Sequence, residues 1–387
     1  MFKPQRLLYS ITKSEELPTL IFFCCVHGNE NAGHIALQSI IDLLKTKEDQ
    51  VEGNFYAIFG NQEAYLQDQR FIHKDLNRIW TKSHLEESTR KSAYVSEYNE
   101  LSEIYNLLHS ILKDKTGPIY SIDLHTTSGP TKPFIIMNDA LINRDFVKYM
   151  GYPVIFNIES FIEGALLSML NDLGHVSIGF EAGEHKSKDS VSEFKIFCLK
   201  AIEKAGLIET KKLLNQDNNS ISTPKKTRYF EIVYRQNLDP SDDFKIVGNF
   251  PNFQKVKKGE RIALLNDTSI YAPKNYQIFM PLYQKKGEDG FFYIKRLSSF
   301  KLKVAKVLRK IRAENILTII PGINKINFYT LSIPRTLCKY IPKRLLFALG
   351  YRKSLEIEGE KFYFTKQERK IRKLPKLKSF VSPYKYE

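Results

Sequence analysis

The chain has 387 residues, 42% hydrophobic and 12% aromatic, enough to bury a large core across two or three domains and too apolar for a disordered polyelectrolyte. Its formal net charge is +16, but the excess is local: residues 296–387 carry 23 Lys+Arg against 6 Asp+Glu, whereas residues 1–295 carry 36 against 37. The basic character therefore belongs to the C-terminal quarter and gives no ground for a nucleic-acid reading of the rest.

The opening segment, MFKPQRLLYSITKSEELP, has no continuous apolar core or small-residue cleavage site, and no apolar stretch in the chain is long enough to span a bilayer. The expectation is a cytoplasmic protein. Four cysteines (Cys24, Cys25, Cys198 and Cys338) lack C-x-x-C spacing and read as reduced thiols. Cys24 and Cys25, adjacent in an apolar strand, are expected on opposite faces.

In chain order, strands are expected at 18–26, 53–59, 118–124, 133–137, 152–158 and 175–181, with helices at 31–45, 87–113, 163–173 and 188–206. Their alternation predicts an α/β fold, a mixed and mostly parallel sheet flanked by helices. The last helix carries Val191, Phe194, Phe197, Cys198, Ala201 and Ile202 at three-to-four spacing, which is ordinary core packing. This domain is assigned to 1–214 and is followed by a polar linker, NQDNNSISTPKK, at 215–226. Short alternating strands with Gly and Pro at the turns then predict a small all-β domain over 227–295. Residues 296–387 form a basic C-terminal extension, expected to be partly helical. In its first helix Phe300, Val304, Val307, Leu308 and Ile311 share one face, with Lys303, Lys306, Arg309, Lys310 and Arg312 mainly on the other.

Three of the expected strands end on chemistry. Strand 18–26 delivers His27 and Glu30, strand 118–124 delivers Asp123 and His125, and strand 175–181 delivers Glu181. The carboxyl ends of parallel strands are where ligands bind in such sheets. His-x-x-Glu followed by a later strand-end histidine is a His₂Glu set, the composition of a catalytic zinc site with an open fourth position. Gly28 lets the backbone fold tightly enough for His27 and Glu30 to face one ion. Asp123, two residues before His125 and hence on the same side of the strand, is placed to accept that histidine's second ring N–H. Each motif alone is more often an ordinary turn or strand end; the reading rests on their combination. His34, His73, His84, His109, His175 and His185 lack partners at ligand spacing, although His185 beside Glu184 could line a cleft.

Between the ligand segments lies QRFIHKDLNRIW, with Arg70, Asn77 and Arg78. On spacing alone this reads as a helix cap at Asp75 with surface arginines, Ile79 and Trp80 packing beneath. In a metal cleft, however, Asn77 and Arg78 suit a substrate carboxylate, and Arg70 suits a developing oxyanion.

The ordered set HGNE (27–30), DLNR (75–78), DLHTT (123–127) and FEAG (180–183) resembles the succinylglutamate desuccinylase/aspartoacylase family, relatives of the zinc carboxypeptidases, over roughly residues 15–295. The resemblance implies a zinc carboxypeptidase-like fold and one zinc ion per chain, held by His27, Glu30 and His125. It also implies Asn77 and Arg78 on a substrate carboxylate, Arg70 on the scissile carbonyl, and Glu181 as general base and then general acid. The implied activity is hydrolysis of the amide bond of a small N-acylated amino acid or amine carrying a carboxylate. A zinc carboxypeptidase acting on peptides is the alternative, and a non-enzymatic membrane- or nucleic-acid-binding protein acting through the basic tail is the third, with nucleic acid the weakest partner. One departure bears on substrate: where aspartoacylase has an arginine ten residues before the catalytic glutamate, this chain has Asn171, with Leu167 four residues earlier, which argues against a dicarboxylic amino acid. The resemblance also puts a tyrosine of the β-domain near Phe292 or Tyr293. The extension lies outside the family's usual extent; its basic amphipathic helix over 296–312 suits peripheral contact with an anionic membrane, or packing back on the β-domain.

Overall fold

The structure, a computed structural model, describes residues 3–91, 94–185, 187–214, 227–284, 286–357, 361–368 and 372–377; the expected linker at 215–226 lies outside them. The strands of the first part are β1 (Leu7–Ile11), β2 (Thr19–Cys24), β3 (Asn54–Phe59), β4 (Ile119–Thr127), β5 (Phe134–Ile136), β6 (Val154–Phe156) and β7 (Val176–Glu184). They are followed by β8 (Tyr229–Asn237), β9 (Phe244–Ile246), β10 (Lys255–Val256), β11 (Arg261–Leu265), β12 (Thr268–Tyr271), β13 (Tyr276–Phe279) and β14 (Asp289–Leu297). An eleven-stranded sheet runs in the order β1-β3-β2-β4-β7-β5-β6-β8-β14-β13-β10. Pairing is parallel through β3-β2-β4-β7 and again through β5-β6-β8, and antiparallel where β5 meets β7 and from β8 to β10. The mixed sheet flanked by helices expected from the alternation is therefore present. The segment 227–295 extends this sheet through the parallel β6–β8 pair and adds the three-stranded sheet β12-β11-β9.

β2 explains why the centre of the sheet reads as an unbroken apolar run. All six of its residues are buried. Leu20, Phe22 and Cys24 enter the core under the helices Ala32–Lys45 and Lys188–Lys204, while Ile21 and Phe23 enter the opposite core under the helix Ser96–Leu112. A parallel strand covered on both faces needs hydrocarbon at every position. Cys24 and Cys25 do not take opposite faces as expected: both join the first core, because the strand ends at Cys24 and Cys25 has a left-handed φ of 54°. The single helix expected at 87–113 is instead two, Lys82–Lys91 and Ser96–Leu112, the second entered from Val95 in extended geometry. The break serves Glu97 in the second helix's first turn. Its buried carboxylate accepts hydrogen bonds from the backbone N–H of Ile72 (2.6 Å), His73 (3.0 Å) and Lys74 (3.1 Å), fixing the loop that carries Arg70, Asn77 and Arg78.

The extension contains more than the expected helix Ser299–Lys310. β15 (Asn324–Asn327), β16 (Thr330–Pro334), β17 (Tyr351–Ile357) and β18 (Lys361–Lys366) form a separate antiparallel sheet in the order β15-β16-β18-β17. Some of its basic residues are structural. Asp139, fully buried, accepts from Arg144 (2.5 Å), from Arg309 (2.8 Å) and from Arg352, so two cations of the extension converge with one of the α/β domain on a single carboxylate. Burial alone would raise the Asp139 carboxyl, but the three arginines hold it well below the usual carboxylate range. Beside it Glu159 accepts from the Asp139 N–H at 2.9 Å, and burial, opposed by Arg352, pushes its carboxyl from 4.5 to about 7. No helix among the described residues is long and apolar enough to cross a membrane.

Two predictions follow from this cluster. Asp139→Asn removes the anion that three guanidinium groups share, leaving Arg309 and Arg352 only Glu368 and Glu231, and lowers the unfolding free energy by about 3–5 kcal/mol in a denaturant titration. At Glu159 the native state binds the proton more tightly than the unfolded chain, so its contribution to stability is full at low pH and is lost as pH rises towards about 7. Glu159→Gln removes that loss, and its melting temperature relative to the parent chain rises between about pH 4 and about pH 8.

Candidate metal and hydrolytic site

The loop after β2 carries His27 and Glu30 and closes on itself through the Glu30 N–H to His27 carbonyl bond at 3.1 Å. Gly28 is required here by a close approach: a Cβ at this position would lie 2.2 Å from the backbone carbon of Ala64. Its N–H donates to the Arg70 carbonyl at 3.1 Å, which draws the Arg70 loop over the site. His125 and Asp123 come from β4, and β4 pairs in parallel with β7 so that His125 faces Glu181 across the ladder. Three segments far apart in sequence thus meet at one edge of the sheet.

Glu30 is buried between two imidazoles. His27 Nδ1 lies 2.9 Å from Glu30 Oε1 and His125 Nδ1 lies 3.1 Å from Oε2, which also accepts the Thr126 N–H at 2.9 Å. The outward ring nitrogens have carboxylate partners of their own, His125 Nε2 with Asp123 at 2.6 Å and His27 Nε2 with Asp75 at 3.1 Å. Burial works to raise the Glu30 carboxyl, but the two histidines overcome it and hold Glu30 well below the usual range. Asp75 is held low in the same way, by His27 and then Arg70, while burial, which would lower His125, is overcome by Asp123 and Glu30. The site therefore favours anionic carboxylates facing polarised imidazoles.

A ligand atom from each of His27, Glu30 and His125 lies within 4.8 Å of the others, the one such grouping of three or more His, Cys, Asp or Glu side chains among the described residues. Two imidazole nitrogens and a carboxylate, with both outer ring nitrogens fixed by Asp75 and Asp123, are the donor set and supporting shell that a divalent transition metal takes. The residues fit an ion.

Glu181, also buried, has one carboxylate oxygen, Oε2, with no hydrogen-bond partner. Burial pushes its carboxyl from 4.5 to about 8; His125 and Arg70 oppose the rise and Glu30 and Asp123 add to it. Arg70 bonds Asp75 at 3.1 Å and lies 3.5 Å from Glu30 Oε1, with its Nε unpartnered. Asn77 and Arg78 reach the same cavity but are differently employed. The Asn77 side-chain Oδ1 accepts the Leu166 N–H at 3.0 Å, and Arg78 pairs with Asp289 of β14 at 2.7 Å, where Arg235 of β8 also binds at 2.5 Å.

The cavity, of about 130 Å³, joins this polar end to a hydrocarbon wall of Ile136, Ile158, Ile162, Leu167, Met280 and Phe292. Leu167 lines it, whereas Asn171 turns away and donates to the His175 carbonyl at 3.0 Å. Phe292 lines it too, while Tyr293 points to the other face and stacks on Tyr276. No tyrosine hydroxyl reaches the cavity from this pair of positions. Asn138 on the same wall bonds Ser168 at 3.2 Å and Gln367 of the extension at 3.1 Å, so the extension braces the cavity.

Sequence reasoning missed three contributors. Asp75 caps the turn by accepting the Asn77 N–H at 2.8 Å, as expected, but it also fixes His27, a role that no short spacing betrays across 48 residues. Asp289 carries no motif. His185, left in the sequence as a residue that could line a cleft, is half-buried with Nδ1 2.8 Å from Thr126 Oγ1, and partial burial lowers the pKa of its imidazole.

An α/β sheet whose strand ends gather a buried His₂Glu set beside an unpartnered glutamate defines a domain with a candidate metal centre. Residues 16–187, a little under half of the chain, match the model of the succinylglutamate desuccinylase/aspartoacylase catalytic domain, so this part of the chain is similar to that family. The succinylglutamate desuccinylase of Pseudoalteromonas atlantica is 34% identical over 113 residues, 28% of this chain and 31% of that protein. That of Pseudomonas paraeruginosa is 27% identical over 86 residues, 22% of this chain and 26% of that protein, so the matched stretches span less than a third of these curated relatives. Among solved structures, the succinylglutamate desuccinylase of Vibrio parahaemolyticus superposes with a TM-score of 0.55 at 16% identity, covering 74% of this chain and 84% of that one, which shows a shared fold.

Asp75→Asn and Asp123→Asn, which leave the three ligands in place but loosen an imidazole, should each weaken Zn²⁺ binding about 10–100-fold in calorimetric titration. His125→Ala should weaken it further than either.

Proposed function

We propose that the chain is a zinc-dependent amidohydrolase that releases the acyl group from an N-acylated amino acid or amine. The observation that carries this reading is the pairing of His125 with Glu181 across β4 and β7, which sets a proton-accepting carboxylate with a free oxygen beside a His₂Glu donor set. Zinc is the best match to two imidazoles and a carboxylate, and when bound it supplies Lewis acidity to water and carbonyl oxygen. The residues do the rest. His27, Glu30 and His125 hold the ion, and Asp75 and Asp123 keep the rings aimed. Glu181, buried with one carboxylate oxygen free, takes a proton from the attacking water and returns it to the leaving nitrogen as the C–N bond breaks, leaving a carboxylic acid and an amine. Arg70 donates to the carbonyl oxygen as charge develops there.

Asn77 and Arg78 are the proposed grip on a substrate carboxylate, with Asp289 holding the Arg78 guanidinium in position until that carboxylate displaces it. The wall of Leu167, Ile136 and Ile162, which carries no cation among the described residues, supports a substrate with a hydrocarbon group instead of a dicarboxylic amino acid. The family relatives named desuccinylases are the reason to expect an acyl–nitrogen bond as the target.

A panel of N-acyl amino acids, with short peptides alongside, tests the reading. N-acyl derivatives of leucine or phenylalanine should turn over faster than N-acetylaspartate, and chelation should abolish the activity. Glu181→Gln should keep bound zinc and lose about 10²–10⁴-fold in kcat. Turnover that survives complete metal removal, or a Glu181→Gln enzyme with normal kcat, would overturn the mechanism; preferential cleavage of peptides would replace the substrate class.

A further inference from the structure

The helix Ser299–Lys310 is mounted with its hydrocarbon outward. It buries Ala305 and the Arg309 guanidinium, which is held by Asp139 and Glu368. Phe300, Val304, Val307 and Ile311, one face by their four-three-four spacing, are instead 73%, 40%, 57% and 66% exposed. A helix packed for a water-facing surface shows the opposite arrangement. The exposed series continues along the chain with Ile316, Ile319, Ile320 and Ile326. Single exposed aliphatic residues need no explanation, but eight large ones between 300 and 326 do.

Along this stretch of sequence the charge is nearly all of one sign, and the exposed Asp145 of the preceding part pairs with Lys306. Residues 299–345 contain 11 Lys+Arg and a single acidic residue, Glu314, which is buried and engaged by Lys366. Lys301, Lys303, Lys310 and Arg312 stand exposed beside the apolar row. We propose that this face docks on an anionic phospholipid bilayer, with Phe300, Val304, Val307 and Ile311 entering the headgroup boundary and the flanking cations meeting lipid phosphates. Hydrocarbon in a row with basic residues along its edges is the pattern that interfacial helices use. A second copy of the chain would bring the same positive face against this one, which repulsion disfavours. Nucleic acid would neutralise the cations but leave the apolar row in water.

The test is flotation of the full chain with vesicles of phosphatidylcholine alone and with phosphatidylglycerol added. Binding is expected to the anionic vesicles only and to weaken as salt is raised. Val307→Glu combined with Ile311→Glu, both exposed and outside the hydrolytic site, should reduce binding about tenfold or more at an unchanged melting temperature. Lys303→Glu combined with Lys310→Glu should also reduce it. The inference is overturned by lack of binding to anionic vesicles at low salt, by double-glutamate protein that binds as well as the parent, or by self-association that the double substitution abolishes.

Discussion

The Glu30 carboxylate is the interaction on which the rest of the site depends. Buried, it is kept charged by two imidazoles and one backbone N–H, and each imidazole is in turn fixed from behind by an aspartate. Three buried carboxylates in so small a volume are costly unless cations meet them, because charge taken out of water must be compensated locally. Arg70 supplies part of that compensation through Asp75 and Glu30. A divalent ion, proposed to bind between His27, Glu30 and His125, would supply the remainder, and the fold around these donors, from Gly28 against Ala64 to Glu97 under the Arg70 loop, reads as a frame that keeps them converged.

Around this centre the cavity divides into a polar end and a hydrocarbon end. The division follows from strand alternation: Phe292 faces inward where Tyr293 faces the small-sheet core, and Ile136 on β5 lies over Gly179 on β7, where a Cβ would come within 2.9 Å of it. Shape at the hydrocarbon end is set by side chains that tolerate little change in volume. At the polar end the arginines are already matched, Arg78 by Asp289 and Arg70 by Asp75, so in the proposed reading a substrate carboxylate would have to exchange with one already present.

Much of this was legible in the sequence, and the physical reasons separate what was from what was not. Apolar runs ending in polar residues gave the central strands and put His27, Glu30, Asp123, His125 and Glu181 near strand ends, because period-two alternation and burial on both faces leave a direct trace. Register between strands leaves none: the His125–Glu181 pairing depends on the β4–β7 ladder, and the Asp75–His27 bond on a loop folded back by Glu97. The sheet of the extension was missed although LEIE, residues 355–358, alternates apolar and acidic residues in the sequence just before Gly359. The high density of Lys and Arg drew attention to helix and charge, yet Arg309, Arg352 and Lys366 are buried ion-pair partners. Net charge does not report which cations face water.

The extension thus has two faces. One locks onto the α/β domain through Asp139 and reaches the cavity wall through Gln367, while the other presents apolar and basic side chains outward. Both leave the account dependent on its centre, the ion proposed to bind at Glu30 and its histidines. X-ray absorption at the zinc edge of the purified, zinc-loaded chain tests this most directly. The account predicts one ion per chain in a shell of nitrogen and oxygen donors at about 2.0–2.2 Å, with the signal lost in His125→Ala. A shell containing sulfur at about 2.3 Å, or zinc uptake unchanged in His125→Ala, would contradict it.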